Sequence, residues 1–302
     1  MITVFGSINM DLIATTERLP KASETVQGHS FTTAAGGKGA NQALAARRAG
    51  ATVRMAGAVG GDAFAAESLV LLTQSRVDLD LVKVADEPTG TAHILVADDG
   101  ENVIVVVAGA NGDVTAADAK AAVAQMAAGD ILALQLEVPA EAVEAALDAA
   151  RARRVTSVIN LAPMTSDARR LGAKADIVVT NEIEFEQYAG KSGLSDAERE
   201  AEMRALHEQT GQTIIVTLGA DGVIAIRKGT VFRAPGLKIE PIDTVGAGDS
   251  FCGYLVASLD AGLPFADCLR RAAIAGSLSC LKRGAQPSIP EAAEVDARMR
   301  EA

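Results

Sequence analysis

The segment DTVGAGDSF, residues 243–251, sets a carboxylate, Asp249, behind Gly246 and Gly248. Phe251, Leu255 and Leu259 follow at helical spacing, which predicts a helix beginning inside the motif. The N–H groups of a first turn have no partners within their own helix, and glycines leave them unshielded. Such a mouth attracts anions, helped by the macrodipole. The plainer reading is an acidic residue that stabilises a first turn by roughly a few tenths of a kcal/mol. A second glycine-rich segment, GGKGAN, offers a different set. Gly36, Gly37 and Gly39 permit unusual backbone angles and close approach to a ligand, Lys38 supplies a cation, and Asn41 can donate and accept. Its plainer reading is a flexible turn with a polar helix start.

Neither loop is a common nucleotide fingerprint. Gly39 stands where a P-loop needs Ser or Thr, and GAGDSF lacks the third glycine and the downstream acidic residue of a dinucleotide site. A NAD enzyme is therefore not expected. The three cysteines (Cys252, Cys268, Cys280) and three histidines are scattered, without the spacing of a zinc site. That usage fits a reduced, cytoplasmic compartment. Net charge −11, no Trp and 3% aromatic residues argue against a nucleic-acid partner. No apolar stretch approaches the ~20 residues that span a bilayer, and MITVFGSINMD reads as a strand rather than a signal peptide. An anionic ligand would need positive potential built locally, from helix mouths, a few basic side chains or a metal ion.

The elements that must carry these residues follow from periodicity. ITVFG is a first strand, with short strands at roughly 10–18 and 25–33, then the helix of GGKGANQALAARRAG, strand TVRMAGAV and helix DAFAAESLVLLTQSR. GTAHILVAD and ENVIVVVAG form a hairpin through DDG. From about residue 113 helices and strands alternate, with strands DILALQLEV, TSVINLAP, ADIVVTN and TIIVTLG. ILAL, IVVT and IIVT are continuously apolar, as in a parallel sheet covered on both faces. Two long helices follow residue 246, and another lies near 291–301. The expected architecture is one α/β domain over residues 1–302, a doubly wound, mostly parallel sheet, with a small β lid from about 10–34 and 88–109. On that frame Asn9 and Asp11 follow the first strand and Glu137 follows another, at the edge where such sheets present ligands. Thr217, Gly219 and Gly222 in TLGADGV can cradle phosphates or ribose, or simply make an Asp-Gly hairpin turn.

GSINMDL, GGKGANQALAARRAG, TNEIEFE, VTLGADGV, DTVGAGDSFCG and KRGAQPSIP occur in that order over nearly the whole chain. Together they resemble the ribokinase-like (PfkB) carbohydrate kinase family. The resemblance implies ATP-dependent phosphorylation of a sugar hydroxyl, with D-ribose to D-ribose 5-phosphate as the expected reaction. Deoxyribose, another sugar or a nucleoside are alternatives, as is a non-catalytic sugar or nucleotide sensor on the same fold. It further implies Asp249 as the base that takes the hydroxyl proton, and the Gly246, Ala247 and Gly248 amides as the hole for charge on the transferred group. Asn9, Asp11, Gly36, Gly37, Lys38, Asn41 and Glu137 would surround the sugar. Asn181, Thr217, Leu218, Gly219, Ala220, Asp221, Gly222, Gly248 and Asp249 would lie along the nucleotide. Glu184 would be tied to Mg²⁺ through water, although Glu182 and Glu186 beside it also fit a solvated helix start. Ala273 stands where many relatives carry His or Asn near adenine. A K⁺ site would take Asp243, Val245 (backbone), Ser279, Lys282 (backbone), Gly284 and Ser288. Alternatively, Asp243 caps the following helix and Ser288 begins a turn. A homodimer through the lid is implied as well.

Overall fold

The computed structural model describes residues 1–301. In chain order the strands are β1 (Ile2–Phe5), β2 (Asn9–Thr16), β3 (Gly28–Gly36), β4 (Val53–Gly60), β5 (Asp78–Ala85), β6 (Gly90–Ala97), β7 (Asn102–Val107), β8 (Ile131–Leu134), β9 (Thr156–Asn160), β10 (Ile177–Asn181), β11 (Thr213–Thr217), β12 (Val223–Arg227) and β13 (Thr230–Ala234). The helices are α1 (Lys38–Arg48), α2 (Ala63–Gln74), α3 (Ala116–Ala124), α4 (Ala140–Arg153), α5 (Ala168–Gly172), α6 (Glu182–Ala189), α7 (Asp196–Thr210), α8 (Ala247–Asp260), α9 (Phe265–Ser279), α10 (Ala285–Ser288) and α11 (Ala292–Glu301).

Among the described residues, one sheet has nine strands in the order β13-β12-β11-β10-β9-β8-β1-β4-β5. It is parallel from β5 through β11, and β12 and β13 add an antiparallel edge. Its strands are apolar on both sides because both sides are covered. Ile131 and Ala133 of β8 join a core with α1, α8 and α9, whereas Leu132 and Leu134 join a second core with α3 and α4. Strand order reverses at β1, flanked by β4 and β8, and the crevice beyond the strand ends at such a reversal is where open α/β sheets bind ligands. A second sheet, ordered β3-β2-β6-β7, rises directly from the end of β1.

The doubly wound fold and the smaller sheet agree with the sequence reading. The differences are local. β5 was not anticipated: DLDLVKVA alternates charged and apolar residues as a half-exposed edge strand does, without the continuous apolar run of its neighbours. The strand expected over DILALQLEV stops at Leu134, where pairing with β9 ends, and this frees Gln135 to reach Gln42 and Glu137 to reach Ser7 and the Lys38 backbone. The acidic stretch after β10 splits into α6 and α7 at Gly190, whose φ of 70° terminates the first helix. No helix among the described residues is long and apolar enough to cross a membrane.

Candidate active site

The crevice is assembled by backbone fit around a few glycines. Gly37 caps α1 at φ 88°, and a Cβ there would lie 2.7 Å from the Asn9 backbone nitrogen. A Cβ on Gly36 would lie 2.5 Å from each oxygen of the Asp11 carboxylate, so the missing side chain is the space that Asp11 occupies. α1 is Ala-rich, with Arg47 and Arg48 in its last turn to complement the dipole, and it buries Gly39 through Ala46. Its polar first turn is therefore carried into the interior beside the sheet ends.

Glu137 fastens this region together. Its Oε2 accepts from Ser7 Oγ at 2.5 Å and from the Lys38 backbone N–H at 3.0 Å. Asn111, buried after the smaller sheet, does the same for Asn9. Its side chain accepts from Ile8 N at 2.9 Å and donates to Ile8 O at 3.0 Å and Asn9 Oδ1 at 2.7 Å. Asn9 is thereby left with its N–H₂ as its available hydrogen-bonding group.

On the other side, α8 begins at Gly246, φ 77°, with no side-chain cap. The Ala247 N–H donates to Thr244 O at 3.2 Å, since the chain closes a turn just before the helix. Among the described residues Gly248 N–H has no such partner. The Ala247 amide, expected in the anion hole, thus also closes this turn. Asp249 is 6% exposed. Its Oδ2 accepts from Asn41 Nδ2 at 2.9 Å and its Oδ1 from Gln42 Nε2 at 3.0 Å.

One cleft is lined by Lys38, Asn181, Glu184, Gly246, Gly248 and Asp249, with Thr217 at the end of β11. Its electrostatics are unbalanced toward acid. Burial first, then the neighbouring Glu137 and Asp249 carboxylates, push the Asp11 carboxyl up to about 7. Burial likewise raises the Glu184 carboxyl, against a hydrogen bond from Asn181 N–H that favours its charged form. The Asp249 carboxylate holds Lys38 above its ordinary value, with Glu137 and Glu184 assisting against burial. Several carboxyls around one ammonium make a site in need of further positive charge, which a divalent cation with its waters can supply. Glu184 and Asn181 close a capping box at the start of α6, with Glu184 Oε2 on Asn181 N and Asn181 Oδ1 on Glu184 N, both at 2.8 Å. This places the Glu184 carboxylate on the cleft wall while leaving Oε1 for a hydrated ion.

The remaining sequence candidates are placed as follows. TLGADGV is indeed the turn between antiparallel β11 and β12, with Leu218 N bonded to Gly222 O at 2.8 Å. Gly222 has φ 92°, and a Cβ there would meet Ala234 O at 2.1 Å. Of that turn Gly219, Ala220 and Asp221 are exposed beyond Thr217. Ala273 is buried in the apolar core on α9 and is not part of the cleft lining. Asp243 does not cap α8. Its Oδ1 accepts from Val245 N at 3.0 Å and its Oδ2 from Gly284 N at 2.8 Å, so it ties together the two segments expected to share a cation. Ser279 and Ser288 are buried, each donating its hydroxyl to a carbonyl, Gly276 O and Ala285 O.

The whole chain can now be set beside known proteins. Residues 1–292 match the model of the pfkB family carbohydrate kinases. The chain belongs to that family. It is a sugar kinase, similar at 36% identity to the ribokinase of Haemophilus influenzae, over 96% of this chain and 95% of that one. The Bacillus subtilis ribokinase is 37% identical over 98% of each chain. The structure of Arabidopsis thaliana ribokinase complexed with ribose and ATP superposes with a TM-score of 0.87 at 29% identity, covering 98% of this chain and 97% of that one.

In this kinase, sequence reasoning missed Ser7, Gln42, Asn111, Gln135, Asn160 and Cys252, which brace or line the crevice. A usable signal existed for two. Gln135 interrupts the apolar run ILALQL, and Gln42 sits in an Ala-rich helix that the pattern marks as buried.

Proposed function

We propose that the kinase transfers the γ-phosphoryl group of ATP to O5 of D-ribose, with Asp249 as the base. The observation that carries this reading is the placement of Asp249. Its buried carboxylate sits one residue beyond the unpartnered Gly248 amide and accepts from Asn41 in the first turn of α1. A hydroxyl between Asn41 and that helix mouth would lose its proton to Asp249 as its oxygen bonds to the γ-phosphorus. The bond from phosphorus to the β–γ bridging oxygen breaks, and ADP leaves with that electron pair. Phosphoryl transfer asks mainly for positioning and charge stabilisation, which Lys38 and the Gly246, Ala247 and Gly248 amides would supply.

Asn9, Asp11, Gly36, Gly37, Asn41 and Glu137 would hold the sugar, and Asn181 with the Thr217–Gly222 turn the nucleotide. Glu184 would hold Mg²⁺ through water, and the ion would neutralise phosphate charge. Asp243, the Val245 and Lys282 carbonyls, Ser279, Gly284 and Ser288 would hold K⁺, a reading supported by Asp243 bridging both segments. The smaller sheet would act as a lid. Phe31 is 65% exposed and Val105 57% exposed on that sheet, and apolar faces of this kind support pairing of two lids in a homodimer. A monomer of full activity by light scattering at micromolar concentration would remove the dimer. The three unpaired, buried cysteines support a cytoplasmic location.

Coupled ADP release over ribose, deoxyribose, fructose and adenosine tests the substrate. Ribose is expected to give the highest kcat/KM, and a preference of about tenfold or more for a nucleoside would overturn the assignment.

A further inference from the structure

Gln42 follows Asn41 on α1, is 2% exposed and takes no part in the cleft lining. It nevertheless reaches Asp249. Its Nε2 donates to Asp249 Oδ1 at 3.0 Å and, at 3.3 Å, to Asn160 Oδ1. Its Oε1 accepts from Gln135 Nε2 at 2.7 Å. Gln135 is fully buried just past β8, in space that Gly6 leaves open: the Gln135 Oε1 lies 1.9 Å from where a Gly6 Cβ would stand.

Chemistry fixes the direction of these bonds. An ionised carboxylate only accepts, so Asn41 and Gln42 both turn N–H₂ groups toward Asp249. The Gln42 oxygen is then committed to accepting, and the Gln135 N–H₂ is the donor that reaches it. Gln135 Oε1 is left without a partner, so this amide is satisfied on the Gln42 side alone. The result is a one-way run of donors from Gln135 through Gln42 that ends on the carboxylate.

We propose that Gln42, supported by Gln135, is a positioning residue for Asp249, fixing its carboxylate in one orientation before a sugar arrives. This rests on the reading of Asp249 as the base. Asn41, next to it on α1, holds the other oxygen and is the one proposed to reach the sugar, whereas Gln42 acts from within the protein. The charged and titratable groups that face Asp249 are Lys38 from α1, Asp11 from β2, Glu184 from α6 and Cys252 from α8, with Glu137 beside Lys38 and Asp11. All are retained in the variants below.

Gln42→Met keeps the length of the side chain and removes all three of its hydrogen bonds. Turnover is expected to fall by about 10²-fold with sugar KM little changed, as when a catalytic group is misplaced. Gln135→Met, which leaves the Gln42 contact chemically possible, should lower turnover in the same way but less, again with sugar KM little changed. In an Asp249→Asn background, Gln42→Met should cost no further turnover, because its effect runs through that carboxylate. A folded Gln42→Met protein with wild-type turnover would overturn the proposal, as would a matching rise in sugar KM in place of the loss of turnover, or losses that add in the double variant. If Gln42→Met fails to fold, Gln135→Met carries the same readouts, and wild-type turnover there overturns it. Wild-type turnover in Asp249→Asn alone would instead remove the base itself, an outcome distinct from a silent Gln42 beside a crippled Asp249.

Discussion

Gly253 and Ala45 set the distance between the two helices of the site. A Cβ built on Gly253 would lie 2.4 Å from Ala45 Cβ and 2.7 Å from Gln42 O, so α8 rests on α1 closer than an alanine would allow. Gly253 stands one turn beyond Asp249, and Ala45 one turn beyond Asn41. This close approach lets two short amide side chains on α1 reach a carboxylate on α8, at 2.9 and 3.0 Å. The helix contact and the hydrogen bonds are therefore one construction.

Gly253→Ala should separate the helices at that point. Overpacking of this kind costs about 1–3 kcal/mol of stability. The bonds to Asp249 would lengthen with it, so kcat should drop by about 10²-fold, more than sugar KM changes. Thermal unfolding beside steady-state kinetics checks both. Normal kcat in a protein destabilised as expected would show that the spacing serves folding alone.

Asp11 should make both stability and sugar binding depend on pH. Its folded value, about 7, lies above the ordinary 3.8, so the folded state prefers the protonated form. The stability this contributes is present below pH ~4 and is lost as pH rises through about 7. Asp11→Asn should thus be more stable than wild type at pH 8, by at most about 4 kcal/mol, and show little advantage at pH 4. Sugar binding should run the other way, because the ionised carboxylate is the better acceptor for hydroxyls. Sugar KM should fall as pH rises through about 7 in wild type and lose that inflection in Asp11→Asn. Identical denaturant curves for the two proteins at pH 8 would contradict the burial of a charged Asp11.

Asp249→Asn should lower turnover by ~10²–10⁴ with little change in sugar affinity, since a proton acceptor is lost and shape is kept. The new N–H₂ group would face a donor on one side. Asn41 can relieve that clash by turning its amide, because its Oδ1 is buried without a partner. Single-turnover kinetics with isothermal titration of the sugar separates chemistry from binding. Wild-type turnover in a clean preparation excludes Asp249 as the base.

The chain announced its large features through periodicity. ILAL, IVVT and IIVT read as strands covered on both faces, and the structure buries both faces. GGKGAN and DTVGAGD were legible because glycines before a helix mark places where backbone must come close to something. What escaped was the support. Ser7, Asn111 and Gln135 act through partners more than 90 residues away, as with Ser7 and Glu137 at a separation of 130. A local pattern carries no trace of such a pairing. The Ala247 amide illustrates the same point: what a first-turn N–H meets depends on the turn before it, here closed by Thr244.

Potassium should activate the enzyme through Asp243. Its carboxylate accepts from Val245 N at 3.0 Å and Gly284 N at 2.8 Å, joining the loop before α8 to the turn before α10. Gly284 has φ 81°, a conformation that favours glycine and directs its peptide groups as few other residues could. Gly246, the N-cap of α8, packs on that same turn: a Cβ on Gly246 would lie 3.0 Å from Ala285 Cα. A cation held between the two segments would bias the loop toward the shape that aims the Gly246 and Gly248 amides at phosphate, which shifts a population and leaves the chemistry itself unchanged. Turnover at saturating Mg·ATP and sugar should rise with potassium and rise less with sodium. Asp243→Ala should abolish that activation while leaving Asp249 in place. Equal rates in potassium and in a bulky organic-cation buffer would show that Asp243 only ties the two segments together.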